Sequence, residues 1–316
     1  MYNKGVIIDE VQSVPSLFSY IQGHVDKTKI MGEFILTGSQ HFLLTQSITQ
    51  SLAGRTAVLQ LLPCALSELP LSNESLYEVL WRGFYPAIYD RQIDPKMFYK
   101  SCLNRYVERD LRSMSMIHDL SKFKTFLQLC AGRVGQIINM TSLGNYTGID
   151  QKTVKAWLSI LEMSYIIFFV RPHSKNFNKR LVKQPKLYFY DTGLVSYLLG
   201  IENAADMRNH FALGALFENY VAIELIKKRF NDGLESNIYF WRDSNGHEVD
   251  FIKESKGCIK PIEVKSSETI STSLFDGLKY WKSLAGVDRG YLVYGGLEAQ
   301  ERSEFTVMPW NKASEL

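Results

Sequence analysis

The sequence predicts a multidomain protein of mixed α/β and α+β class. Residues 1–70 alternate short apolar strands with helical stretches. Residues 71–204 are mainly helical and end in two β-rich runs, and residues 205–316 place three consecutive strands between two helices. The chain has 316 residues, of which 46% are hydrophobic and 22% charged, so it can form two or three domains with real cores. We therefore expect domain boundaries near residues 70 and 204.

The composition excludes several classes of protein. The four cysteines lie far apart and form no Cys-x-x-Cys pair, which argues against a zinc site or a disulfide framework and favours a reducing cytoplasm. No apolar run approaches the roughly 20 residues that cross a bilayer, so we expect no membrane partner. The net charge of +3 does not by itself imply a nucleic-acid partner.

The first segment is predicted to form part of a parallel sheet. Apolar runs at 5–9 and 33–39 predict strands, and the run at 14–26, opened by Pro15, predicts a helix between them. A second helix is predicted at 42–55. Strand–helix–strand order at this spacing is typical of parallel strands.

The first predicted strand ends in the Walker B pattern of nucleotide-hydrolysing proteins. In the run VIIDE, Asp9 would hold the water shell of Mg²⁺, and Glu10 would orient or deprotonate the attacking water. The next strand ends in Thr-Gly-Ser at 37–39, where a polar side chain can sense the γ-phosphate of ATP. Further along, Arg55 is placed where a cation can face a phosphate.

The phosphate-binding loop that should accompany this pattern is missing. Its signature is GxxxxGK[ST], and no Gly-Lys pair occurs in the chain. The β- and γ-phosphates would therefore lack their main donors, so autonomous ATP hydrolysis is not expected. Two explanations stay open: the chain is an N-terminally truncated ATPase, or its ATPase module has degenerated.

The middle segment carries a helix-turn-helix pattern followed by a hairpin. A helix is predicted at 94–114, with Asp94 as its cap. In the run at 139–162, Gly148 ends a short helix and Asp150 caps a second one. Two β-rich runs separated by a basic stretch then complete a winged-helix arrangement.

Positive charge is concentrated in residues 151–190, which hold eight Lys or Arg against one acid. Such an excess is typical of a surface that faces nucleic-acid phosphates, although a solvated face with distant counter-charges is the alternative. The side chains predicted to contact DNA are Lys152, Lys155, Lys175, Lys179, Arg180 and Lys183.

The last segment contains a pattern of acids and a lysine on successive strands. Asp250 is followed 13 residues later by Glu263-Val264-Lys265, which is the form of the PD-(D/E)XK nuclease motif. Residues i and i+2 of a strand share a face, so Glu263 and Lys265 point the same way. A divalent cation bound by Asp250 and Glu263 can bind a scissile phosphate, while the lysine positions a water. Glu218, on a helix predicted at 211–230, is a further candidate metal ligand. The alternative is a hairpin whose solvent face happens to carry acids and a lysine.

These stretches together resemble one large prokaryotic group, the AAA-like ATPases with a C-terminal domain of unknown function. The resemblance rests on the order of VIIDEVQ, LTGSQ, SLAGR, RGFYPAIYD, LYFYDTGLVSYLLG, GALFENYVAIEL, HEVDFI and PIEVKSS. It implies a P-loop ATPase domain, a helical and winged-helix part, and a PD-(D/E)XK restriction-endonuclease-like domain. ATP and Mg²⁺ are the cofactors that it implies for a full-length member. By the resemblance, Asp9 and Glu10 match the Walker B, Ser39 the sensor, Arg55 a Gly-Arg position, and Glu218, Asp250, Glu263 and Lys265 the nuclease-like motif.

The leading functional prediction is a DNA-handling protein that cleaves phosphodiesters with a metal ion. The first alternative is a non-catalytic scaffold or regulator that binds DNA through the same folds. The second is a protein–protein role, including self-association, in which the basic stretch meets an acidic partner.

Overall fold

A computed structural model describes residues 5–38, 52–70, 74–107, 117, 119–173, 182–255 and 257–316. Near the N-terminus, strand β1 (Val6–Ile8), helix α1 (Ser16–Thr28) and strand β2 (Phe34–Leu36) follow one another. β1 and β2 are parallel, which confirms the predicted strand–helix–strand unit. α1 packs Phe18 and Ile21 into a small separate core. Of the helix predicted at 42–55, the part up to residue 51 lies outside the described residues, and residues 52–55 form a turn.

Six helices make up most of the middle segment, and their starts follow from capping residues. Asp94 accepts a hydrogen bond from the Met97 amide at 2.9 Å, and Pro95 occupies the first helical position. This helix ends at Arg105, and residues 108–114 of the predicted span lie outside the described residues. The helices are α2 (Leu76–Arg82), α3 (Pro86–Asp90), α4 (Pro95–Arg105), α5 (Leu120–Ala131), α6 (Met140–Thr147) and α7 (Gln151–Met163).

The predicted helix-turn-helix is formed by α6 and α7. Gly148 ends α6 in the left-handed conformation at φ +65°, which a glycine adopts without a Cβ penalty. Asp150 then caps α7 by accepting from the Thr153 amide at 2.9 Å. One face of α7 is buried in the main core through Val154, Trp157 and Leu161.

The two β-rich runs join the sheet of the following segment instead of forming a separate wing. β3 (Ile167–Pro172) and β4 (Lys186–Phe189) are antiparallel neighbours. β3 also pairs in parallel with β5 (Ile238–Arg242), through Arg171 with Tyr239 and Pro172 with Phe240. The sheet is therefore continuous across the predicted boundary at residue 204.

The complete sheet has eight strands and mixed direction. Helices α8 (Thr192–Leu198), α9 (Ala204–Asn209) and α10 (Leu213–Asn231) separate β4 from β5 along the chain, and α11 (Asp276–Ala285) precedes β8. The spatial order is β4-β3-β5-β6-β7-β8-β10-β9. The remaining strands are β6 (Glu248–Ser255), β7 (Cys258–Lys265), β8 (Gly290–Tyr294), β9 (Gln300–Glu301) and β10 (Phe305–Pro309).

Helix α10, which confirms the helix predicted at 211–230, is buried on nearly every side. The residues of its second half up to Lys227 are buried whether apolar or charged. The reason is its position, because strands β4, β5 and β7 and helices α2, α8 and α9 all contact it. α11 covers the opposite face of the sheet with Leu278 and Trp281.

Candidate active site

Asp250 lies where strand β6 leaves its regular pairing on both sides. On one side, Tyr239 pairs with Ile252 and Trp241 pairs with Val249, so two residues of β6 face one residue of β5. This is a β-bulge, a device that re-aims a side chain. On the other side, pairing with β7 stops at Phe251, and the Asp250 carboxylate instead accepts a hydrogen bond from the Val264 amide at 2.8 Å. The carboxylate is thus fixed between the two diverging strands.

Glu263 and Lys265 meet Asp250 at this point. The Lys265 ammonium lies 2.6 Å from Glu263 Oε1 and 3.6 Å from Asp250 Oδ2. The two residues of β7 share a face because they are two positions apart. We call Asp250, Glu263 and Lys265 the carboxylate–lysine cluster. The structure therefore brings together the three residues that the motif predicted.

Glu263 is held in surroundings that oppose its negative charge. Burial, and after it the charge of Asp250, raises the pKa of Glu263 to about 8, while Lys265 acts against this rise. Its Oε2 atom is buried and has no hydrogen-bond partner among the described residues. Gly277 in α11 is so close that an added Cβ would lie 3.4 Å from this oxygen. A buried carboxylate oxygen without a partner is costly unless a cation or water completes it.

Glu218 lies in a second group of charges next to the first. Its Oε1 accepts from the Tyr188 hydroxyl at 2.6 Å and from the Lys186 ammonium at 2.9 Å. The Lys186 ammonium also lies 2.5 Å from Oε1 of Glu248. The other carboxylate oxygen of Glu248, Oε2, lies 3.2 Å from the Arg242 guanidinium. We call Lys186, Tyr188, Glu218 and Glu248 the Lys186 cluster. Burial raises the pKa of Glu218 to about 7, and Lys186 opposes this rise.

Sequence reasoning missed the role of Lys186. It counted Lys186 with the basic surface of residues 151–190, whereas its side chain is 3% exposed and faces carboxylates. A signal was available, because Lys186 and Tyr188 are two positions apart in an otherwise apolar strand and so share a face. Arg242 forms an ion pair with Glu248 at 3.2 Å. His247 lies directly before β6, with its ring 3.0 Å from Asp243.

The metal-binding capacity of this region is modest. Among the described residues, no three His, Cys, Asp or Glu side chains are gathered as a metal site. Magnesium nevertheless often uses only one or two carboxylates and keeps several waters. Asp250 and the free oxygen of Glu263 match that smaller requirement.

The predicted nucleotide residues are partly brought together. Asp9 and Glu10 follow β1, and the Thr37 hydroxyl at the end of β2 donates to the Asp9 carboxylate. Glu10 adopts a left-handed conformation at φ 49°. Arg55 is engaged elsewhere, because its guanidinium lies 2.6 Å from Asp26. Ser39 lies outside the described residues.

Three of the six predicted DNA-contacting side chains can be placed. Lys152 and Lys155 are exposed on α7, and Lys183 is exposed just before β4. Lys175, Lys179 and Arg180 lie outside the described residues.

Three family models match consecutive parts of the chain. The first, described as an AAA domain, matches residues 1–70. Two domains of unknown function, DUF8612 and DUF4143, match residues 73–205 and 213–313. These matches support an AAA-like ATPase family with a C-terminal region of unknown function.

Similar proteins occur in bacteria and archaea. An uncharacterized protein of Mycobacterium tuberculosis is 27% identical over 271 residues, which cover 85% of this chain and 60% of the relative. One of Methanocaldococcus jannaschii is 23% identical over 275 residues, which cover 79% and 58%. The chain thus spans about three fifths of the length of these relatives. No solved structure matches it significantly.

In the part of the chain that the structure describes, no helix combines the length and the apolar character that a bilayer span needs.

Proposed function

We propose that the chain is a DNA-handling protein of the AAA-like ATPase type that cleaves phosphodiesters with a divalent cation. The observation that carries this proposal is the convergence of Asp250, Glu263 and Lys265 at a point where one buried carboxylate oxygen has no partner among the described residues. Two adjacent carboxylates repel each other, and a divalent cation relieves that repulsion.

The carboxylates and the lysine of the carboxylate–lysine cluster would have different roles in cleavage. Asp250 and Glu263 would hold Mg²⁺, which would polarise the scissile phosphate and acidify a water. Lys265 is 37% exposed at its side chain, so its ammonium can swing away from the carboxylates. It would then donate, as a protonated ammonium, to the attacking water or to a phosphate oxygen.

DNA would approach along the helix-turn-helix. In this arrangement Lys152 and Lys155 of α7, together with Lys183 before β4, neutralise backbone phosphates, as Lys175, Lys179 and Arg180 would. Winged-helix proteins use the second helix and the hairpin in this way, and we extend that mode of binding to α7 and the β3–β4 connection.

The DNA-binding part of the proposal predicts a change in salt dependence. The Lys152→Ala/Lys155→Ala variant should bind duplex DNA more weakly, and the slope of log K against log salt should fall by about two. Fluorescence anisotropy between low and moderate salt measures this slope. Lys312→Ala, an exposed lysine near the C-terminus, is the matched control and should leave the slope unchanged. An unchanged slope in the double variant would show that α7 is not part of the DNA interface.

The cleavage part is tested with the wild-type chain and supercoiled plasmid. Nicking in the presence of Mg²⁺ or Mn²⁺, and its loss on addition of EDTA, is the expected result. If the plasmid stays intact under every metal condition while the chain still binds DNA, the proposed cleavage activity is refuted.

ATP enters the proposal only through the first segment. Asp9 and Glu10 would contact Mg²⁺ and the attacking water in a form that also supplies a phosphate-binding loop, with Ser39 and Arg55 near the γ-phosphate. Since this chain has no Gly-Lys pair, we do not expect it to hydrolyse ATP on its own.

A second candidate is a scaffold or regulator that binds DNA or protein without catalysis. It is favoured by the Lys265 ammonium, which already bridges the two carboxylates and compensates their charge. Salt-sensitive DNA binding without cleavage would support a DNA scaffold. Absence of DNA binding altogether would leave a protein partner or self-association.

A further inference from the structure

The Lys186 cluster holds a fixed cation beside the proposed metal site. The Lys186 ammonium contacts Glu218 at 2.9 Å and Glu248 at 2.5 Å, and its side chain is 3% exposed. The Tyr188 hydroxyl donates to the same oxygen of Glu218, and the Phe240 ring lies 5.5 Å from the ammonium. Every one of these partners is on a helix or strand of the core, so Lys186 has no room to leave.

The two lysines of the region therefore differ in mobility. Lys265 contacts Glu263 at 2.6 Å but Asp250 only at 3.6 Å, and its side chain is 37% exposed, so an incoming cation can displace it. Lys186 is enclosed and contacts both of its carboxylates at close range. A cation that replaces the Lys265 ammonium would contact Asp250 and Glu263, whereas Lys186 already fills the space between Glu218 and Glu248.

The balance of charges in this region also favours the binding of a single divalent cation. When all four carboxyl groups are ionised, those of Glu218, Glu248, Asp250 and Glu263 face three cationic side chains, those of Lys186, Lys265 and Arg242. One divalent cation turns this single excess negative charge into a single excess positive charge. A second divalent cation would leave a strong positive excess in a largely buried region, which is unfavourable.

We propose that the site binds one divalent cation, at Asp250 and Glu263, and that the ammonium of Lys186 takes the position between Glu218 and Glu248 that a second metal ion would otherwise occupy. In this assignment Glu218 holds Lys186 and is not a metal ligand. Lys186 is a positioning residue that comes from β4, in the part of the chain matched by a different family model from the one that contains Asp250. The inference rests on the proposed metal site and specifies its stoichiometry.

The test is a Mn²⁺ titration of the full chain, with free Mn²⁺ followed by electron paramagnetic resonance. We expect one bound ion per chain in the wild type and two in Lys186→Met, which removes the ammonium and keeps the length of the side chain. Lys186→Arg restores the cation and should return the count to one. Circular dichroism shows whether each variant is folded.

The possible results separate this inference from the proposed function. No bound ion in the wild type would refute the metal-dependent function itself. Two bound ions in the wild type would overturn the role of Lys186 and leave the metal site standing, and this result does not depend on any variant being folded. One ion in both the wild type and folded Lys186→Met would also overturn the inference.

Discussion

Asp250→Asn should reduce metal-dependent plasmid cleavage by at least about a hundredfold, because polarisation by a bound cation is worth several kcal/mol in the transition state. The substitution keeps the shape of the side chain, and the amide oxygen can still accept from the Val264 amide. It removes the negative charge that would help to hold the cation. The rate of nicking in Mg²⁺ or Mn²⁺ is the measurement.

The control for this variant is Asp232→Asn, an exposed aspartate that follows α10. It should cleave like the wild type. Since Asp250→Asn keeps the contacts of the main chain, its melting temperature and its DNA affinity should stay close to those of the wild type. Cleavage at the wild-type rate in folded Asp250→Asn would exclude Asp250 as a metal ligand.

Lys227→Ala should lower the free energy of unfolding by about 3–5 kcal/mol, because it leaves a buried carboxylate without its cation. Lys227 and Glu224 are each 1% exposed at their side chains and lie 3.4 Å apart in α10. The Lys227 ammonium also donates to the Cys64 carbonyl at 2.5 Å, and Glu224 accepts from the Leu66 amide at 3.1 Å. This pair therefore attaches the end of the first segment to α10. Urea denaturation followed by circular dichroism measures the change.

Lys228→Ala is the matched control, since the neighbouring lysine is exposed. It should change the free energy of unfolding by less than about 0.5 kcal/mol. A similarly small effect for Lys227→Ala would show that the buried pair does not stabilise the chain.

Much of the local structure could be predicted because it depends on residues close in sequence. Asp94 and Asp150 cap their helices as expected, and Gly148 ends α6. The parallel pairing of β1 with β2 also followed from the spacing of the apolar runs. Such features are set by hydrogen bonds within a few residues and by periodicity.

The errors concern contacts between distant parts of the chain. The sequence does not show that tertiary packing encloses α10 and buries Glu224 and Lys227 as a pair. Lys186 was assigned to the basic surface because charge counting along the sequence does not show which way a strand residue points. The short strand β10 was not predicted, and it places Phe305 and Val307 in the sheet.

The candidate site was partly predictable because two of its residues lie close together in sequence. Glu263 and Lys265 share a strand, so their common face follows from the sequence, and the position of Asp250 then needed only the pairing of β6 with β7. The bulge that re-aims Asp250 and the contribution of β4 depend on strand register between distant segments. Neither leaves a local signal in the residues.

The pairing of β3 with β5 has a geometric consequence for cleavage. The hairpin that follows α7 is hydrogen-bonded into the sheet that carries Asp250, and one apolar core contains Trp157 of α7 and Phe251 of β6. If α7 grips the duplex as proposed, the scissile bond would lie at a constant number of base pairs from the gripped segment. Cleavage would then occur at a fixed distance from the binding site. All products would share a single end position relative to the protected footprint.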